Sequence, residues 1–290
     1  MDIDIRKAEF WDYVWEKARR RSSSKIGAAG YQEYPVDRWN KRAAGYAKQT
    51  SGETKTRRWF SVIEFFSKCS LEITPGMKIL DIGSGPGSFA IPFAEMGAQV
   101  WALDPAENMI EILEKEAAKR NLTSIQTFTE KWEDIDLQSM GWFKNFDLVF
   151  ASMSPGINSL DTIKKMLDAS KSYCYISSFA GPRKYPLQET IAREILGEDY
   201  KTYTPDIIYP FNIVYAMGYL PNVLFEENYS EREVDLEDVY QEIITHIAMY
   251  TQITPEVQAT VENYLQKNKN TENKVVKKTK SRIGMLLWQV

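Results

Sequence analysis

The chain has 290 residues, 43% of them hydrophobic and 26% charged, with a formal net charge of -4 and an isoelectric point near 5.4. That composition builds a packed core, as one large domain or as a core with a modest second lobe, and it exerts no global pull on nucleic acid. No apolar run is long enough to span a bilayer, and Asp2, Asp4, Arg6, Lys7 and Glu9 open the chain as neither a secretory signal nor a transit peptide. Cys69 and Cys174 are far apart without metal spacing, so a cytoplasmic protein with reduced thiols is expected.

Along residues 4 to 21, Ile5, Ala8, Trp11, Val14 or Trp15, and Ala18 recur at helical spacing, and the run Arg19 to Ser24 interrupts them. Tyr31 to Tyr46 is aromatic-rich and reads as a loop, then a short helix. Thr54 to Ser70 predicts a helix carrying Trp59, Val62, Ile63 and Phe66. Pro75-Gly76 is a turn, and Met77 to Ile82 a short buried strand ending at glycines. Ser88 to Met96 predicts a helix with Pro92 in its first turns. Gln99 to Leu103 is the next strand, Glu107 to Arg120 a helix, and Ser124 to Thr129, Phe146 to Ala151 and Tyr173 to Phe179 three further strands. Strands alternating with helices call for a parallel sheet covered on both faces.

After Gly181 the rhythm changes. Helices are predicted over Gln188 to Leu196, Pro205 to Met217, Leu236 to Tyr250 and Pro255 to Gln266, a long charged strand over Val223 to Val234, and a last apolar strand over Arg282 to Val290. Lys267, Lys269, Lys274, Lys277, Lys278, Lys280 and Arg282 crowd one short stretch, which reads as a solvated linker or, alternatively, a phosphate-binding patch.

The chemistry concentrates in Asp81-Ile82-Gly83-Ser84-Gly85-Pro86-Gly87, directly after the first core strand. Glycine lets a backbone turn sharply and approach a ligand closely, and in a doubly wound sheet this loop lies at the ligand-binding end. About one βα unit later, Asp104 ends the second strand, where a carboxylate can accept both hydroxyls of a ribose. A nicotinamide or flavin dinucleotide site is the competing reading, since Ser88 nearly supplies the third small residue. Asp81 argues the other way: a carboxylate there faces a pyrophosphate poorly but suits a cationic amino-acid group.

Over residues 40 to 180, most densely Ile79 to Gly87, Trp101 to Leu113 and Phe146 to Pro155, the chain resembles the class I S-adenosylmethionine (SAM)-dependent methyltransferases, most of all the small-molecule branch of the methyltransferase type 11 kind. The resemblance implies an α/β fold: a Rossmann-like, doubly wound, mostly parallel sheet of the seven-stranded methyltransferase type, with an N-terminal helical lid and a helical cap insertion. It implies SAM as cofactor. Asp81, Gly83 and Gly85 would line its methionine part, with Ser84 and Gly87 of the same loop also contacting the cofactor, Asp104 would hold its ribose, and Pro105 and Met109 would pack near its adenine. Lys131 and Trp132 would lie near the adenine, although Trp132 also suits plain packing. Ala151, Met153 and Ser154 would lie between cofactor and substrate. Tyr46 would fold over the methionine end and Arg42 pair with its carboxylate, or Arg42 would face solvent. Ala151 to Pro155 departs from the Asn/Asp-Pro-Pro-Tyr/Phe signature of amino-group methyltransferases acting on nucleobases or glutamine.

The expected organisation is a helical lid over 1–60, the SAM-binding core over 61–182, a cap over 183–275 that includes the sixth strand, and a last core strand over 276–290. Trp39, Tyr31, Ser154, Tyr185 and Tyr209 are the candidate substrate contacts, and the cap tyrosines with Phe211 are read either as a pocket lining or as cap core. No motif declares a catalytic base; His246, the only histidine, sits at helical spacing and reads foremost as a packed or surface residue. No carboxylate cluster follows the fourth strand, so no metal is expected. The leading reading is an enzyme that methylates a small molecule by in-line displacement. A protein or nucleic-acid methyltransferase, supported by the basic stretch alone, and a non-catalytic SAM-binding module are the alternatives. Neither the acceptor atom nor the oligomeric state is legible.

Overall fold

The computed structural model describes residues 4–24, 36–198, 200, 206–248 and 250–290. The order is α1 (Ala8–Ser24), α2 (Val36–Gln49), α3 (Gly52–Lys68), β1 (Lys78–Ile82), α4 (Ala90–Glu95), β2 (Gln99–Leu103), α5 (Glu107–Lys119), β3 (Ile125–Phe128), β4 (Phe146–Ser152), α6 (Leu160–Ala169), β5 (Ser170–Phe179), α7 (Pro186–Leu196), α8 (Ile208–Ala216), β6 (Asn222–Asp235), α9 (Leu236–Ile247), α10 (Pro255–Asn268) and β7 (Lys274–Gln289). The strands form one seven-stranded sheet in the order β3-β2-β1-β4-β5-β7-β6, parallel except for β7. The expected Rossmann-like α/β architecture is therefore present. Among the described residues no helix is long and apolar enough to cross a membrane.

The pleat sorts the core into two layers, because successive side chains point to opposite faces. Leu80, Ile82, Val149, Ala151 and Ile176 face a cluster that includes Trp15, Trp132 and Ile163. Ile79, Leu148, Phe150 and Tyr175 face the other side, against Phe65 and Phe66 of α3 and Phe93 of α4. Phe150 and Tyr175 stack with centroids 4.6 Å apart, and such a pair adds about 0.5–1.5 kcal/mol beyond its buried area. Asp81 and Ser152 follow Ile79 and Phe150 by two residues, so alternation aims both at the α3 layer. The chain steps outward from β1 through β2 to β3 on one side and from β4 to β5 on the other, so the strand order reverses between the parallel pair β1 and β4, which opens the binding crevice there.

Leu160–Ala169, unassigned in the sequence reading, is helix α6. Its signal is present: Leu160, Ile163, Met166 and Leu167 recur at helical spacing, and Ser159 forms a capping box with Thr162. Leu160 N–H donates to Asp12 Oδ1 at 2.8 Å, which pins α1 to the start of α6.

The basic stretch is not a linker. Lys274 to Arg282 are part of β7, which outruns the sheet and pairs there with β6 alone. Cross-strand register sets Lys278 opposite Glu231 and Arg282 opposite Glu227, and ion pairs follow at 2.9 and 3.2 Å. Lys280 meets Glu227, and Lys277 meets Glu242 of α9. Exposed pairs of this kind contribute little stability, but they offset much of the charge of the strand's own cations. The overhang also carries the cap: Ile191 of α7, Val239 and Ile243 of α9, and Val261 and Leu265 of α10 pack with Val275 in a small core of their own. Neither expected boundary, 60/61 nor 275/276, coincides with an element end, since α3 and β7 run through them.

Gly284 shows how tightly β7 is packed. A Cβ there would stand 2.6 Å from Ile207 Cγ2. Gly284→Ala is expected to destabilise by about 1–3 kcal/mol through overpacking, read as a lower melting temperature with unchanged cofactor affinity.

Candidate active site

The loops leaving β1, β2 and β4 meet beneath α2 and the end of α1, around a cavity of about 300 Å³. Its lining includes Asp81, Gly83, Ser84, Gly85, Asp104, Pro105, Met109, Lys131, Trp132, Met153 and Ser154, with Tyr46 and Trp39 from α2.

The glycine loop is fastened to the second strand. Gly83 and Ser84 N–H groups donate to the Leu103 carbonyl at 2.7 and 3.0 Å. Gly85 N–H donates to Asp104 Oδ2 and Ala106 N–H to Asp104 Oδ1, both at 2.9 Å. Asp104 thus braces the loop and the start of α5 while its remaining lone pairs stay available to hydroxyl donors. Gly83 has a φ of 74°, and a Cβ on it would lie 2.3 Å from Ser154 Oγ. Both facts require glycine. Gly83→Ala is expected to push Ser154 aside and weaken cofactor binding by about tenfold or more, measurable by calorimetry; unchanged affinity would refute the close approach. Met153, with a φ of 57°, turns the chain at the end of β4 and still donates its N–H to the Ser177 carbonyl at 2.9 Å.

Asp81 is the electrostatic centre. It is 2% exposed, and its Oδ2 has no hydrogen-bond partner. Burial pushes its carboxyl up to about 8, the nearby Asp104 carboxylate adds to this, and the Ala90 N–H and the Arg58 guanidinium pull against it. Burial also raises Asp104, against the opposing hydrogen bonds from Ala106 and Gly85. A buried acid with an orphaned oxygen at a cavity wall is matched by a bound cation. A cationic group on a ligand would meet that demand, whereas a pyrophosphate beside Asp81 would not. Ser84 Oγ is a second buried atom without a partner.

Arg58, a residue missed in the sequence reading, projects from α3 into this end of the cleft. Its Nη2 donates to Ser152 Oγ at 3.4 Å, and its guanidinium lies 5.3 Å from the Phe89 ring centroid. The signal was its spacing with Val62 and Phe65, which sets an arginine on the buried face of α3. Arg42 is exposed and lies over the Trp39 ring at 5.9 Å, outside the cavity lining; the cation beside Asp81 is Arg58. Glu130 and Glu133, neighbours of Lys131 and Trp132, also line the cleft, as do Arg19, Phe89 and Asn158, which were not anticipated.

Residues 79–173 match a family model described as a methyltransferase domain. Those residues carry a methyltransferase domain, set in the fold that solved class I methyltransferases share. An uncharacterized protein of Haemophilus influenzae is 28% identical over 206 residues, 70% of this chain and 71% of the relative. Ribosomal RNA large subunit methyltransferase E of Wolbachia pipientis is 28% identical over 130 residues, 42% of this chain and 60% of the relative. Among solved structures, phosphoethanolamine N-methyltransferase 2 of Haemonchus contortus, in complex with phosphomonomethylethanolamine and S-adenosylhomocysteine, superposes with a TM-score of 0.50 at 14% identity, over 86% of this chain and 57% of that one. At that identity the likeness speaks to the fold.

Within the methyltransferase domain, several expected contacts lie elsewhere. Gly87 is a packing glycine: a Cβ there would stand 2.9 Å from Leu113 and 3.0 Å from Ile91. Ala151 points into the core layer opposite Asp81. Tyr185 precedes α7 and lines a separate small hollow beside Leu187 and Lys277. Tyr209 stacks on Trp15 at 5.8 Å and packs against the core. Tyr31 and Tyr203 lie outside the described residues. Phe211 stacks on Tyr215, and Tyr200 bonds His246 within the cap, so the cap aromatics line no wall of the cleft among the described residues. Trp132 serves both purposes: its ring is buried and donates Nε1–H to the Thr162 carbonyl at 3.1 Å, while one side reaches the cleft. The roof is held by Asn40, which accepts from Asn108 N–H and receives its Nδ2 at the backbone carbonyl, at 3.0 and 3.1 Å.

Proposed function

We propose that this methyltransferase acts on a small-molecule acceptor, with Asp81 and Arg58 holding the ammonium and carboxylate of the SAM methionine part. Asp104 takes the ribose hydroxyls, Pro105 and Met109 flank the adenine, and Tyr46 and Trp39 shield the cleft from above. SAM, when bound, would supply an electrophilic methyl carbon, with the thioether of S-adenosylhomocysteine as the leaving group opposite the incoming nucleophile. The protein's own part is to orient the acceptor at near-attack distance and exclude water. Trp39 and Tyr46, in edge-to-face contact at 5.7 Å, suit the second task.

The observation that carries the acceptor class is the ion pairing of the basic strand. Lys277, Lys278, Lys280 and Arg282 pair with Glu242, Glu231 and Glu227, which weakens the one sequence feature that favoured a polyanionic substrate. A cleft roofed by two helices also suits a compact acceptor better than a duplex or a folded RNA. Cys69 and Cys174 stand as free thiols, in keeping with a reducing, cytoplasmic setting.

The test supplies methyl-labelled SAM and the purified protein to a dialysed cell extract, its dialysable fraction and total RNA. Label is expected in the dialysable fraction. Label in RNA or protein alone would replace this reading with the macromolecular one.

A further inference from the structure

The methionine end of the cleft has its charges matched by Asp81 and Arg58. A second guanidinium has no such role. Arg19 continues the apolar stripe of α1 that runs through Ala8 and Trp15, both buried. Its guanidinium lies 5.8 Å from the Trp15 ring centroid and lines the cavity. Its Nε is buried and, among the described residues, has no hydrogen-bond partner, and no carboxylate among them pairs with it. A half-buried arginine set on an apolar helix face with a buried, unused donor is unfavourable unless an acceptor arrives.

The position separates this group from the cofactor's methionine end. Arg58 comes from α3, on the Ile79–Phe150 face of the sheet. α1 lies on the opposite face, against α6 and α8: Asp12 holds the first N–H of α6, and Trp15 stacks on Tyr209. Arg19 therefore enters from the side of the loop that leaves β4, where Ser154, Pro155 and Asn158 line the cleft. That is where an acceptor must approach a methyl group held beside Gly83.

We propose that the methyl acceptor carries an oxyanion, a carboxylate or a phosphate, and that Arg19 receives it. The planar guanidinium presents parallel N–H donors that match either group. The Trp15 ring limits its rotation, so the anion fixes the acceptor's orientation. The proposal rests on the SAM reading of the cleft.

The test uses the full chain saturated with S-adenosylhomocysteine and titrates benzoate, phenyl phosphate and neutral benzamide as probes. One of the two anions is expected to bind about tenfold or more tightly than benzamide; whichever wins identifies carboxylate or phosphate. Arg19→Gln is expected to abolish the preference, and Arg19→Lys to keep part of it, with S-adenosylhomocysteine affinity unchanged in both. Equal binding of the three probes, no binding of any, or a preference that survives Arg19→Gln would overturn the proposal alone. Failure of the wild-type protein to bind S-adenosylhomocysteine would overturn the cofactor reading beneath it.

Discussion

Asp104→Ala is expected to weaken SAM and S-adenosylhomocysteine binding by about 100-fold. A carboxylate that accepts two ribose hydroxyls makes two charge-assisted hydrogen bonds, together about 3 kcal/mol, which corresponds to that factor. The same side chain holds Gly85 N–H and Ala106 N–H, so its removal also loosens the loop that receives the cofactor. Asp104→Asn separates the two effects. Its amide oxygen keeps one of the loop hydrogen bonds but it carries no charge, so affinity should fall between wild type and alanine. Calorimetric titration measures the affinity, and a thermal melt of the unliganded variants reports whether the fold persists. Unchanged affinity in a folded Asp104→Ala protein would refute the ribose assignment.

Asp81→Asn is expected to change stability and binding in opposite directions. Burial raises the folded-state carboxyl from 3.8 to about 8. Ionisation is thus harder in the folded protein than in the unfolded chain, and the unfolded chain releases its proton first. Stability conferred by the neutral form is fully present below about pH 4 and declines as pH rises toward 8. An amide escapes that loss, so Asp81→Asn should raise stability at pH 8 by about 2 kcal/mol, or about 4–8 °C in melting temperature. Cofactor affinity should fall, since the cation loses its carboxylate partner. The wild type should bind more weakly as pH drops below about 8, by up to about tenfold per unit, because the carboxyl must shed its proton to pair with an ammonium. The variant should lack that slope. A binding site that tolerates an unmatched acid when empty is an instance of function held at the expense of stability.

The parts of this molecule that were legible in sequence are those with local physical signals. A buried strand, a glycine turn and an acid one βα unit later located the cleft, and Gly83, Gly85 and Asp104 stand together in it. Helical and strand periodicity marked most elements of the sheet. Arg58 and Arg19 escaped because a cation at helical spacing looks like the polar face of the helix until the buried side is known. Ala151 and Gly87 were misplaced for a related reason: the pleat turns Ala151 away from the cofactor, and Gly87 answers to Leu113 rather than to a ligand. Tyr185 and Tyr200 could not be located because their region packs on the overhang of β6 and β7, a pairing between segments about forty to sixty-five residues apart that no local pattern encodes, and Tyr209 because it packs on Trp15 of a distant helix. Charge counting misread the lysines of β7, whose glutamate partners lie on the facing strand. α6 was readable from Leu160, Ile163 and Met166, and its cap, built from Ser159 and Thr162 without the usual acid or amide, concealed it.

The central interaction is that of a cationic adenosyl ligand with a buried acid. Its most direct test is calorimetric titration of the wild-type protein with SAM near pH 7, repeated in two buffers of different ionisation enthalpy, with nicotinamide adenine dinucleotide as the comparison. Micromolar SAM binding with proton release, and no heat from the dinucleotide, is the expected result. Dinucleotide binding without SAM binding, or SAM binding that releases no proton, would contradict the role given to Asp81.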